Sequence, residues 1–252
     1  IFIQGEADGT FDDDDFILFY AKGPHDWIVN AGANTASHRQ NIYSDKAYYF
    51  ITVNEIDGKR IQSAPVINGT PAIQITTFDD FTFYEKETTN IIAAGNQWFG
   101  ESFSFENVQN FTIPFKNAVP NSPVFVTVRA AVQSSLSSSF AVSANNEYLF
   151  TLAFGGIPNG SLNQAFATQK TSGFNNSSDQ ITVSISYNNG GLPSAKSYLD
   201  YIEIIGKKQL AVNNLQFSFR SFIAATTSGI VQYQLENANN ILQLWDVTDF
   251  LN

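Results

Sequence analysis

The chain has 252 residues and a formal net charge of −10, with 43% hydrophobic and only 14% charged residues. This composition excludes extended disorder, because disordered chains are poor in apolar and aromatic residues. Binding to nucleic acid needs clustered Lys and Arg, and the only short basic pairs are Lys59-Arg60 and Lys207-Lys208, so no nucleic-acid partner is expected. There is no Cys, which excludes disulfides and a thiolate nucleophile within this chain.

Short apolar or alternating runs, separated by Asn, Gly, Ser and Pro, predict an all-β protein built from antiparallel strands. In the first part of the chain they predict strands at Asp15–Ala21, Ala47–Asn54, Arg60–Ala64, Ala72–Phe78 and Phe81–Glu87. Asp57-Gly58 supplies the positive φ angles of a tight turn, which predicts a hairpin turn over Asn54–Lys59.

Beyond residue 105 the same pattern predicts ten further strands and an antiparallel two-sheet sandwich of jelly-roll kind. These strands are Gln109–Phe115, Val124–Val132, Ser139–Ser143, Leu149–Phe154, Gln164–Thr168, Gln180–Ser186, Tyr198–Ile204, Leu215–Ser221, Val231–Gln234 and Ile241–Val247. In Tyr198–Ile204, alternation places Leu199 and Tyr201 on one face and Ile202 and Ile204 on the other. Because both faces carry apolar residues, we expect this strand to be buried on both.

Acidic residues are distributed unevenly along the chain. Residues 1–105 hold 15 Asp and Glu against 6 Lys and Arg, whereas residues 106–252 hold 8 against 7. This shift predicts a domain boundary near Glu106. We expect an acidic, smaller β-rich domain at 1–105 and a jelly-roll-like β-sandwich domain at 106–252.

No run approaches the roughly 18 apolar residues of a membrane-spanning helix, so no transmembrane segment is expected. The first residues also lack the basic segment and apolar stretch of a signal peptide. Since the chain begins at Ile1 and contains no Met, we interpret it as a processed or excised piece of a longer protein.

The loop from Asp8 to Asp15 crowds carboxylates into a short stretch. Calcium binds roughly 6–8 oxygen ligands, so Asp8, Asp12 and Asp15 are candidate ligands of a structural calcium ion. The spacing is not that of an EF-hand. The simpler interpretation is a solvated acidic turn in which Gly9 supplies an unusual φ angle. No other cofactor is expected.

His25 and His38 are the only histidines, and both lie in polar stretches. We interpret them as solvated or hydrogen-bonded loop residues rather than as catalysts. Glu85, Glu87 and Glu101 are carboxylates of the kind used in glycoside hydrolysis, but that chemistry needs a defined separation which spacing along a strand does not establish. We predict no catalytic residue in this chain.

A series of short motifs runs along nearly the whole chain. They are Asp8-Gly9, Phe11-Asp12, Asp15, Ile17, Phe19-Tyr20, Gly23-Pro24, Trp27, His38, Asn41, Tyr43-Ser44-Asp45, Tyr48-Tyr49-Phe50, Gly58-Lys59-Arg60-Ile61, Tyr84-Glu85, Glu87, Asn90, Trp98-Phe99-Gly100-Glu101, Phe103, Leu199-Asp200-Tyr201-Ile202-Glu203, Gln209-Leu210, Phe219-Arg220 and Trp245-Asp246-Val247-Thr248-Asp249. In this order, the motifs resemble the region upstream of the catalytic domain in the sortases of the type IX secretion system, the PorU family of gingipain-related cysteine peptidases.

The resemblance implies a non-catalytic, β-rich part of a sortase at the cell surface, attached through the secretion apparatus to the outer membrane of a Gram-negative bacterium. Enzymes of this family cut the carboxy-terminal sorting domain from secreted cargo with a Cys nucleophile and a His base. This chain has no Cys, and neither His25 nor His38 matches that dyad. The implied partners are the downstream peptidase domain of the same chain, and secretion-system subunits or secreted cargo.

Two other functions remain open. A carbohydrate-binding jelly-roll module is suggested by the strand Tyr198–Ile204, the acidic loop and the three Trp residues. Trp27, Trp98 and Trp245 are far apart in apolar surroundings, however, which is more typical of core anchors than of a sugar-stacking platform. The third hypothesis is an extracellular structural or adhesin-like segment.

Overall fold

The computed structural model describes residues 1–53, 56, 58–213 and 216–249. These residues form mostly antiparallel β-strands, which confirms the predicted all-β class. The strands are β1 (Phe2–Gln4), β2 (Phe16–Leu18), β3 (Asp26–Asn30), β4 (Thr35–Arg39), β5 (Ile73–Ile75), β6 (Thr77–Glu85), β7 (Val108–Pro114), β8 (Pro123–Gln133), β9 (Ser138–Ala144), β10 (Glu147–Phe154), β11 (Phe166–Asn175), β12 (Gln180–Asn188), β13 (Lys196–Gln209) and β14 (Val231–Tyr233). The helical segments are α1 (Phe222–Thr226) and single 3-10 turns at Glu6–Asp8, Ala31–Ala33 and Ala238–Asn240. No helix in the described part of the chain is long and apolar enough to cross a membrane.

Eight of these strands form the predicted sandwich of two four-stranded antiparallel sheets. The strand orders are β10-β9-β12-β7 and β11-β8-β13-β6. Both sheets contribute to one cluster of buried apolar side chains, in which Phe115 and Phe140 are fully buried and Phe103 is 1% exposed. Burying a large apolar side chain stabilises a fold by roughly 1.5–3 kcal/mol, so this cluster holds the two sheets together.

Strict alternation along β12 shows how the sequence builds this core. Ile181, Val183 and Ile185 are buried, whereas Thr182 and Ser184 between them are partly exposed. Successive side chains of a strand point to opposite faces, so the apolar set enters the core and the hydroxyl set faces outward.

Strand β13 is buried on both faces, as predicted, but its faces are not those that simple alternation assigns. The register shifts between Leu199 and Tyr201, and Leu199 joins Ile202 and Ile204 in the core. Such a bulge places an extra residue, Asp200, in one strand and changes the phase of alternation. The prediction that Leu199 and Tyr201 share a face is therefore wrong.

The outer face of β6 and β13 is covered by two other segments. Ala36 from β4 and Phe222 from α1 pack with Phe81 of β6 in a second buried cluster, with Trp27 of β3 against it. The rings of Phe81 and Phe222 stack with centroids 5.4 Å apart. The hairpin β3–β4 and helix α1 thus convert an outer face into a second, smaller core.

The chain divides into two compact units, each assembled from separate segments. The first contains residues 1–26, 39–70 and 238–252, and the second contains residues 27–38 and 71–237. In the first unit, β1 pairs with β2, and none of the described residues is buried. The second unit contains the sandwich. Both predicted domains, 1–105 and 106–252, supply segments to each unit, and the boundary at residue 105 stays a prediction.

Several predicted strands do not form. Residues 47–53, 60–64 and 241–247 have no regular structure. Ile61 donates a backbone hydrogen bond to Ile1, but no strand ladder forms there, and β propensity alone does not make a strand. The predicted turn at Asn54–Lys59 and the start of the predicted strand Leu215–Ser221 lie outside the described residues. Residues 216–221 are not a strand and lead instead into α1, whose N-cap is Ser221.

Candidate functional site

Two cross-strand pairs on the outer face of β6 and β13 form the floor of the candidate site. Tyr201 lies opposite Glu85, and Glu203 lies opposite Phe83. Residues two apart on a strand share a face, so all four side chains point to the same side of the sheet, away from core residues such as Ile202. The register of two long strands therefore fixes two carboxylates and two aromatic rings side by side.

His38 of β4 packs onto this floor. Its Nδ1 lies 2.6 Å from Glu203 Oε1, and its Nε2 lies 2.6 Å from Glu85 Oε2. The backbone N–H of His38 also donates to Glu203 Oε1, at 2.7 Å. The imidazole stacks on the ring of Phe83, with centroids 4.1 Å apart and 16° between the planes. The side chain of His38 is only 3% exposed, so this arrangement is shielded from water.

The protonation of His38 follows from its partners. Burial by itself lowers the pKa of His38, but hydrogen bonds and charges from Glu203 and Glu85 outweigh burial and raise the pKa to about 9. Both ring nitrogens face carboxylate oxygens, so His38 is an imidazolium that donates two hydrogen bonds at neutral pH. A cation above the face of Phe83 is also attracted by the ring.

Glu87 adds a further carboxyl group beside this cluster. Burial, together with the hydrogen bond and the charge of Glu85, raises the pKa of Glu87 to about 7. Its Oε2 is buried and has no hydrogen-bond partner among the described residues. The chemistry that this arrangement supports is ion pairing and proton binding, and its first consequence is to fix the hairpin β3–β4 on the sheet. The group of His38, Glu85, Glu87 and Glu203 is called the His38 cluster below.

Glu101 belongs to a different group of side chains. It accepts a hydrogen bond from Tyr84 and forms an ion pair of 2.8 Å with Lys86. Burial works to raise the pKa of Glu101, but the hydrogen bonds from Lys86 and Tyr84 lower it overall. Tyr84 and Glu85 are adjacent on β6 and point to opposite faces, so the structure does not bring Glu85 and Glu101 together as a catalytic pair.

The acidic loop lies in the first unit, where its carboxylates bond to their own backbone. The Asp8 carboxylate accepts from the N–H of Thr10 at 2.9 Å, and that of Asp15 accepts from the N–H of Asp12 at 3.0 Å. No group of three or more acidic or His side chains in the described residues is arranged to hold a metal ion. Calcium binding by Asp8, Asp12 and Asp15 stays a prediction, and would require these carboxylates to turn from their backbone partners.

The two histidines have different environments. His25 is a hydrogen-bonded loop residue, as predicted, since its Nδ1 accepts from the N–H of Asn41 at 3.1 Å. His38 is hydrogen-bonded, as expected, but it is not a solvated loop residue, because it lies on strand β4 and its side chain is only 3% exposed. His38 and Glu203 are 165 positions apart, so no local pattern relates them. The available signal was Glu203 itself, a carboxylate inside the apolar run of β13 that needs a buried partner.

The three Trp residues are divided between the two units. Trp27 packs on Phe81, with ring centroids 5.3 Å apart, and lies 5.8 Å from the ring of His38. Trp98 belongs to the second unit and Trp245 to the first. All three are partly buried. The expectation that they act as anchors is thus met most clearly by Trp27.

Comparison with solved structures shows the fold. A crystal structure of dimeric latent PorU from Porphyromonas gingivalis is similar over 87% of this chain, with a TM-score of 0.65 and 17% identity. The chain spans 21% of the length of that protein. The chain therefore has the β fold of a region of PorU, and at this identity the likeness concerns the fold alone.

Other solved structures are similar over about half of the chain. The CBM36-1 domain of a multidomain xylanase from the hindgut metagenome of Trinervitermes trinervoides covers 50% of this chain and 96% of itself, with 14% identity and a TM-score of 0.33. The δ-endotoxin Cry8Ea1 from Bacillus thuringiensis covers 44% of this chain and 19% of itself, with 19% identity and a TM-score of 0.32. These weak likenesses carry no argument about function. No protein-family model and no curated protein matches the chain.

Proposed function

We propose that this chain is a non-catalytic accessory region of a type IX secretion sortase, exported to the cell surface and associated with the outer membrane. Its role is to position the peptidase domain of the parent protein, to contact cargo or secretion-system subunits, or both. The observation that carries the proposal is the likeness in fold to a region of PorU over 87% of the chain. The order of the sequence motifs, which resembles that family, supports it.

The position of the motif residues gives further support. Trp27, His38, Glu85 and Glu203 belong to separate motifs of the resemblance, and they meet in one place in the second unit. They fix the hairpin β3–β4 to the sandwich and are shielded from solvent. Side chains placed in this way stabilise the fold and are not exposed to a substrate. Such a rigid fold is what an accessory region needs in order to present a surface to another domain.

The absence of Cys supports the non-catalytic part of the proposal. Thiol-dependent peptidases require a thiolate, and none is available in this chain. The His38 cluster offers no substitute, because both nitrogens of His38 are engaged by carboxylates and its side chain is 3% exposed. The cleaving residues would lie in another part of the parent protein.

Cleavage assays on the full-length parent protein test this function. The full-length protein is expected to cleave a substrate that carries a carboxy-terminal sorting domain, and alkylation of its thiols should abolish the cleavage. The isolated chain is expected to leave the substrate intact. A parent protein without a Cys–His pair, or one that retains full cleavage and cargo anchoring after this region is deleted, would contradict the proposal.

A further inference from the structure

The outward surface of the sheet β10-β9-β12-β7 differs from that of the other sheet. Its strand positions carry short uncharged side chains, among them Thr112 on β7, Ser143 on β9, and Thr182 and Ser184 on β12. The outer face of the other sheet instead carries Asp79, Glu85, Glu203 and Lys207. In a chain of net charge −10, one sheet therefore presents a neutral, hydroxyl-rich surface.

At one end of this surface lies a cleft of about 490 Å³. Its walls are residues 144–147, which connect β9 to β10, and residues 174–178, which lead from β11 towards β12. Thr182 and Ser184 of β12 also line it. This volume lies within the range of about 300–1,000 Å³ that small-molecule sites usually have.

The buried amide of Asn176 and the half-buried amide of Asn145 hold the two walls in place. Asn145 donates to Asn176 Oδ1 at 3.0 Å and accepts from the N–H of Thr182 at 2.8 Å. Asn176 is 2% exposed and donates in turn to the carbonyl oxygen of Ser178 at 2.6 Å. Because each member of this network is satisfied by another, the shape of the cleft is fixed before any ligand arrives.

Other polar groups in the cleft are not used by the fold. Within the described residues, the side chains of Asn146, Glu147 and Asn175 form no hydrogen bond or ion pair, and all three are exposed. Two amides and a carboxylate provide both donors and acceptors. All three residues belong to the lining of the cleft, where a ligand would find these groups available.

The types of residue that line the cleft indicate which class of ligand it can bind. No Lys or Arg lines the cleft, which argues against phosphate or another anion. Glu147 is its only acidic lining residue, which is too little charge for a divalent cation site. Phe174 and Ala144 are the only apolar lining residues, and Phe174 is 4% exposed, so a lipid or aromatic ligand would find little apolar surface.

We propose that this cleft binds a neutral oligosaccharide. Sugar hydroxyl groups match the amides of Asn146 and Asn175 and the carboxylate of Glu147, because hydroxyls donate and accept hydrogen bonds at the same time. This site is separate from the proposed accessory role and does not depend on it.

The full-length protein, screened against an array of neutral oligosaccharides and a matched set of uronic-acid oligosaccharides, tests the proposal. Binding of at least one neutral oligosaccharide is expected, with the dissociation constant then measured by titration calorimetry. The double variant Asn146→Gly, Asn175→Ala removes both free amides, and Gly fits the positive φ of residue 146. Because the variant loses the hydrogen bonds of two amides, its binding should weaken about tenfold or more.

Ser186→Ala is the matched control, because Ser186 faces outward on the same strand but does not line the cleft. It should bind as the unaltered protein does, and thermal melting should show that both variants remain folded. The proposal is overturned if no neutral oligosaccharide binds with a dissociation constant below about 1 mM. It is also overturned if only uronic-acid oligosaccharides bind, or if the double variant binds as tightly as the unaltered protein.

Discussion

His38 is buried together with two carboxylates, and a cluster of this kind stabilises a fold only while all of its members are present. We expect His38→Gln to destabilise the protein by about 3–5 kcal/mol, because Glu85 and Glu203 would then be buried without their shared cation. The measurement is the free energy of unfolding in urea. His25→Gln is the control and should change it by less than about 1 kcal/mol, since His25 lies in a loop and faces the exposed carboxylate of Asp45. Equal effects of the two substitutions would contradict the assigned role.

The same cluster predicts how stability depends on pH. The pKa of His38 rises from 6.5 to about 9 on folding, so its contribution is complete below pH 6.5 and is lost as the pH rises through 9. The pKa of Glu87 rises from 4.5 to about 7, so the folded state binds its proton more tightly and loses stability between pH 4.5 and 7. Both groups therefore lower stability as the pH rises.

Urea unfolding at a series of pH values checks this expectation. The free energy of unfolding should fall between pH 5 and pH 9. Glu87→Gln should flatten the curve between pH 4.5 and 7 while leaving the decline towards pH 9, which belongs to His38. A stability that rises over the whole interval would contradict this expectation. Glu101 cannot cause such a rise, because its lowered pKa affects stability only below its ordinary value of 4.5.

Calcium binding at Asp8, Asp12 and Asp15 can be tested by mass action. An ion that binds only the folded state at 100 times its dissociation constant stabilises that state by about 2.7 kcal/mol, so calcium should raise the melting temperature. Asp12→Ala should abolish the increase. Asp13→Ala, which alters a neighbouring carboxylate outside the predicted ligand set, should preserve it. An unchanged melting temperature on addition of calcium would rule out a stabilising site.

At the scale of single elements, β13 contains a glycine where most strands would carry a side chain. A Cβ atom at Gly206 would lie 3.0 Å from both Phe115 and Val124, and both of these side chains are buried. We expect Gly206→Ala to destabilise the protein by about 1–3 kcal/mol, as overpacking does in a dense core. Gly155→Ala is the control, because a Cβ there has no atom within 4 Å. Thermal or urea unfolding of the two variants measures this difference in stability. Equal stabilities of the two variants would argue against the tight contact at Gly206.

For the molecule as a whole, the strands whose side chains alternate between apolar and polar were predictable from sequence. Strands such as β12 alternate strictly between apolar and hydroxyl side chains, and an antiparallel sandwich follows from several such strands. The His38 cluster was not predictable, because it depends on the register of β6 against β13 and on a hairpin distant in sequence. The bulge between Leu199 and Tyr201 was not predictable either, since that run contains no residue, such as Gly, that indicates a bulge.

The two units also differ in how many of their side chains are buried, and this difference predicts that their local stabilities are unequal. The first unit has no buried residue among those described, whereas β8, β12 and β13 carry the main core. Local opening is easiest where few apolar contacts are lost, so backbone amides of residues 1–26 and 39–53 should exchange with deuterium much faster than those of β8 and β12. Hydrogen–deuterium exchange followed by mass spectrometry on the full-length protein would measure this. Equal protection of both units would mean that another part of the parent protein, or a partner, covers the exposed apolar side chains of the first unit, such as Tyr43 and Phe50.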